Sequence, residues 1–215
     1  NCFHSYGISG IYDGIIDSNT VNMESTSNNL HVGVAIEAAR STITNNVIDF
    51  DFEDPDESGN SMEHASGIHL LCNNELDSSP YSTDNNSTIE NNVINAELNS
   101  TTYSTSIFIN ECSTQNAIVK NNILSGKNDN KLAAHSSATI GKNLFFIQSS
   151  NAKGILLDDY LSSFTIINNT FISSSTSSSR DGIFIRNSLD VTITNNIFYQ
   201  TGDAIDNEST ADLSI

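Results

Sequence analysis

One short phrase recurs along this chain and limits what it can fold into. STITNNVIDF at residues 41–50 returns as STIENNVINA, FTIINNTFIS and VTITNNIFYQ. Aligned on the second Asn of each phrase, the repeats place Asn19, Asn46, Asn92, Asn122, Asn143, Asn169 and Asn196 at intervals of 27, 46, 30, 21, 26 and 27 residues. A recurrence of about 20–30 residues marks stacked units, each unable to bury its apolar face alone. The 46-residue interval leaves room for insertions.

Two apolar columns accompany the Asn. Three residues before it stand Ile16, Ile43, Ile89, Val119, Ile140, Ile166 and Ile193, and two after it stand Val21, Ile48, Ile94, Leu124, Phe145, Phe171 and Phe198. β-Branched and aromatic residues on both sides of a polar corner predict two short strands joined by a bend, both columns pointing inward. Asn suits the corner because it tolerates a left-handed backbone and because its amide both donates and accepts, so a buried ladder from coil to coil is expected. A second strand type, GVAIE, GIHLL, SIFIN, GILLD and GIFIR, begins at Gly33, Gly67, Ser106, Gly154 and Gly182.

Together these motifs resemble the right-handed parallel β-helix, the pectin-lyase-like architecture with short β-helix repeats, over essentially the whole chain. The resemblance implies an all-β solenoid of about seven to eight coils with an internal Asn ladder. That architecture carries lyases, hydrolases, phage tailspikes, adhesins and inert scaffolds alike, so it specifies no activity.

A chain of 215 residues fits one such domain, 1–215, with insertions at 49–66 and 72–87. Its ends read as unfinished: Cys2 and Phe3 enter a coil with no capping helix, and the sequence stops where another Asn corner is due. A longer solenoid, or copies stacked head to tail, is therefore expected. Eight Lys and Arg against 26 Asp and Glu give a net charge of −18, which disfavours nucleic acid and anionic membrane surfaces and favours cations or neutral glycans. The three cysteines, Cys2, Cys72 and Cys112, form no spaced metal motif and close at most one disulfide. With no apolar run of about 18 residues, membrane insertion is not expected. An extracellular or cell-surface location is.

Candidate sites are few. Asp49, Asp51, Glu53, Asp54, Asp56 and Glu57 crowd oxygen ligands of the kind hard cations such as calcium take. A solvated acidic loop is the competing reading, and no organic cofactor is expected. His64 and His69 lie near this segment and are available as base or ligand. Asp158 and Asp159 resemble the aspartate pair of polygalacturonase-like glycosidases, but no Gly-His-Gly or Arg-x-Lys accompanies them, and along a strand they point apart. A lyase would need a Lys or Arg base beside carboxylates. Arg186 aligns with Asp158, where an ion pair is expected, and Lys120 and Arg40 have no evident charged neighbours in the sequence. Ala35, His69, Phe108, Leu156 and Phe184 fall at outward positions of the second strand type, which points to a face covered by an insertion, another copy of the chain, or a polysaccharide.

The functional expectation is an extracellular, non-catalytic β-helix module that is structural, adhesive or glycan-contacting and able to stack end to end. The alternative is a carbohydrate-active enzyme, a polysaccharide lyase or glycosidase. A third reading, ice binding, rests on the outward column Thr42, Thr88, Thr139, Thr165 and Thr192, but Glu90, Lys120 and Ile167 interrupt its neighbour.

Overall fold

The computed structural model describes residues 4–25, 32–52, 64–71, 85–98, 104–110, 115–158, 162–174, 179–188, 190–209 and 212–215. These residues form a right-handed parallel β-helix. Three parallel sheets run the length of the solenoid, two of eight strands and one of seven. The first sheet begins with His4–Tyr12, the second with Ile15–Asp17 and the third with Thr20–Ser25; among the described residues each of the next six coils lays one strand on each sheet in register, and the eighth adds one to the first and second sheets. The strand Val47–Phe52 continues to Phe52, the next begins at His64, and a further one begins at Asn85. The expected insertions are thus bounded more narrowly by strands, and residues 53–63 and 72–84 lie outside the described residues.

The repeated phrase does two jobs that the sequence reading assigned to one corner residue. The residue before each ladder Asn carries the left-handed backbone: Ser18, Asn45, Asn91, Asn121, Lys142, Asn168 and Asn195 have φ between 54° and 59°. The second Asn turns inward. Each ladder amide from Asn19 to Asn169 donates its Nδ2 to the Oδ1 of the Asn in the next coil, at 2.9–3.1 Å. The same Oδ1 also accepts the main-chain N–H of the Asn before it. The other Nδ2 proton of Asn46, Asn92, Asn122, Asn143, Asn169 and Asn196 goes to a carbonyl of the preceding coil, that of Ile16, Ile43, Ile89, Val119, Ile140 and Ile166 in turn. A buried amide is tolerable because every polar atom is paired.

The predicted apolar columns fill the core, buried throughout except for a partly exposed Phe198. Phe145, Phe171 and Phe198 stack face to face at centroid distances of 4.7 and 4.8 Å. This is the spacing that parallel strands impose on residues in register.

Opposite that stack, the first sheet carries its small residues. Register aligns Gly7, Ala35, Gly67, Ser106, Lys131, Gly154, Gly182 and Ala204. A Cβ at Gly154 would lie 2.6 Å from the Phe171 ring, and one at Gly182 2.4 Å from Phe198. The column therefore faces inward, and Ala35 belongs to it rather than to the outer face expected from the sequence. One fifth-coil strand, Asn130–Ala134, escaped the sequence pattern because Lys131 holds the glycine position.

Candidate functional site

Each first-sheet strand bends at its small residue, so that the small residue and the Ile or Leu after it both face the core. The residues on either side of that pair then share one outer concave face. In the seventh coil those residues are Asp181 and Phe184, and in the sixth Lys153 and Leu156. The outer column runs Glu37, His69, Phe108, Ala133, Leu156, Phe184 and Asp206. The four residues expected on a ligand face, His69, Phe108, Leu156 and Phe184, do share it. Ala133 separates them into two pairs, and Leu156 is buried rather than exposed.

The first pair packs ring to ring. The centroids of His69 and Phe108 are 5.1 Å apart, and His135 meets the edge of Phe108 at 5.2 Å. The second pair is framed by charge. The Lys153 amine sits 4.8 Å from the Phe184 ring centroid, and the Arg186 guanidinium lies 6.0 Å from it. Both cations are anchored: Lys153 pairs with Asp181 and donates to the Ser179 carbonyl at 3.3 Å. Arg186 pairs with Asp158 at 3.0 Å, as aligned from the sequence, and Asn187 adds a 2.7 Å bond to the same carboxylate. Asp159 lies outside the described residues. Two cations that the sequence left unpartnered are paired: Arg40 with Asp13 at 2.6 Å and Lys120 with Glu90 at 3.1 Å.

The acidic segment expected to hold calcium is described only at its start. Asp49 and Asp51 are exposed on the outer face of the third sheet, where with Asn22, Met23 and Glu24 they line a groove of about 420 Å³. Glu24, Asp51 and Glu97 stack coil on coil there, and Asp49 accepts a 3.0 Å bond from Asn95. Glu53, Asp54, Asp56 and Glu57 lie outside the described residues.

A functional group that sequence reasoning missed is Lys131, whose side chain is completely buried. Its amine donates to the Gly126 carbonyl and to Asn128 Oδ1. Burial pulls that amine down to about 7 against the opposing influence of Glu97 and Asp129. Burial in turn holds the Asp129 carboxyl above its usual range. The available signal was the break in the small-residue column, visible only once the fifth coil is aligned.

The fold and this face define the class of protein, a parallel β-helix with an aromatic and charged outer sheet. No protein-family model, curated protein or solved structure matches this chain.

Proposed function

We propose that this chain is a non-catalytic β-helix module that works outside the cell and contacts glycan through the outer face of its first sheet. The observation that carries the reading is Phe184, an aromatic ring on the concave face between two anchored cations, Lys153 and Arg186. A sugar presents an apolar C–H face and a rim of hydroxyls, and a ring bordered by fixed charged donors and acceptors complements both. Engagement of Lys153 by Asp181 and of Arg186 by Asp158 favours binding over proton abstraction, because a base must be free to accept a proton. The net charge of −18 favours neutral glycans, or acidic ones bridged by cations.

A second reading, a pectin-lyase-like polysaccharide lyase or glycosidase, draws support from the same cations standing beside carboxylates on the outside of a β-helix. Two measurements separate the readings. Calorimetric titration with a panel of neutral and acidic polysaccharides should give saturable binding, weakened about tenfold or more by Phe184→Ala. Incubation with the same panel should give neither new reducing ends nor unsaturated products. Product formation would overturn the binding reading.

A further inference from the structure

Asp181, Asp203 and Asp206 come together for reasons the fold supplies. Asp203 stacks on Asp181 in the next coil, and the bend that sets Phe184 beside Asp181 sets Asp206 beside Asp203. One carboxylate oxygen from each lies within 4.8 Å of the other two. Three carboxylates so close repel one another unless positive charge lies among them. Lys153 supplies one such charge, to Asp181 Oδ2.

The independent observation is the other oxygen of Asp181. The residue is 1% exposed, and its Oδ1 is buried with no hydrogen-bond partner among the described residues. A buried carboxylate oxygen left unpaired is costly, so a native protein is expected to fill that position. Three carboxylates and one ammonium leave a formal charge of −2, which one divalent cation neutralises. The donors are all oxygen, and Asp203 is exposed and Asp206 half-buried, so the open side is free for water or a ligand hydroxyl. Hard oxygen ligands, more than one source of ligands and an adaptable open side suit calcium better than zinc, and better than the strict octahedron of magnesium.

We propose that Asp181, Asp203 and Asp206 form a calcium site at the end of the first sheet's outer face, with Lys153 balancing the residual charge. The site does not depend on glycan binding, and either can fail without the other.

The test is calorimetric titration of chelator-treated full chain with calcium chloride, repeated with magnesium chloride. Saturable calcium binding is expected, with weaker magnesium binding. Asp203→Asn and Asp206→Asn, both at positions with solvent access, should each weaken calcium at least about tenfold while the circular dichroism melt without calcium stays intact. Glu24→Gln with Asp51→Asn should leave affinity unchanged. Absence of saturable heat, or affinity lost through Glu24 and Asp51 instead, would overturn the proposal. Should an Asn variant fold poorly, the melting temperature of the unaltered chain decides: a rise with calcium that Asp51→Asn does not remove supports the site, and no rise refutes it.

Discussion

The amine of Lys131 donates to the main-chain carbonyl of Gly126, so the longest side chain in an otherwise small inner column reaches across to a residue with no side chain. Gly126 lies so close to the strand below that an added Cβ would stand 2.1 Å from the Ala96 carbonyl. The two positions are complementary: the Gly126 backbone, held against Ala96, turns its carbonyl to the long side chain of the inner column that reaches it.

That complementarity carries a cost that depends on pH. The folded amine titrates at about 7 and the unfolded one near 10.5. Between these values the unfolded chain binds a proton that the folded chain does not, so stability rises with pH across the window and is lost as pH falls toward 7. Glu97 and Asp129 are the carboxyl groups that act on this amine. Lys131→Met removes the titrating amine and should flatten this part of the profile, so that its stability relative to the unaltered chain is most favourable at pH 7 and declines as pH rises toward 10. Denaturant titrations of both proteins at pH 7, 8.5 and 10 check it, and a constant difference between them would contradict it.

The two asparagines of each corner should respond differently. Asn122→Ala removes the oxygen that accepts both the side-chain and the main-chain N–H of Asn92, and removes one of the two donors to Asn143 Oδ1, the Asn122 main-chain N–H remaining, a loss of roughly 1–3 kcal/mol. Asn121, exposed at φ 57°, should tolerate Gly with little change, because its main requirement is a backbone that permits the left-handed region. Thermal melts of the two variants settle the division. Equal losses would mean that one role had been misassigned.

Gly154 is held by lack of space. An added Cβ would stand 2.6 Å from the Phe171 ring and 2.5 Å from the Gly182 carbonyl. Gly154→Ala should therefore destabilise by roughly 1–3 kcal/mol. Phe171→Leu should return part of that loss in the double variant, since ring and methyl compete for one volume. A double-mutant cycle measures the coupling, and strict additivity would count against direct contact.

Much of this architecture could be read from residues alone, because each coil repeats the same physical demand. The Ile and Phe columns and the Asn ladder announce themselves by spacing, and the Arg186–Asp158 pair follows from aligning two strands. The site was harder. Asp203 and Asp206 occur in TGDAIDNE, a stretch without the Asn phrase, and they meet Asp181 only through coil register and the strand bend. Ala35 was misassigned for the same bend, which places two consecutive residues inside and breaks the alternation on which an outward assignment rests. Lys131 hid because a charged residue at an apparent loop position reads as solvated.

The ladder also has a mechanical meaning. Its amide bonds, like those of the three sheets, run along the solenoid axis, joining each coil only to its neighbours. A force drawing the two ends apart therefore loads coils in series, and the weakest outer coil yields before the next is strained. Six rungs in line do not share such a load as six strands in shear would. Each coil of 27 residues, such as the one between Asn169 and Asn196, would release on the order of 90 Å of extended chain. Under tension the molecule is a spool that pays out one turn at a time.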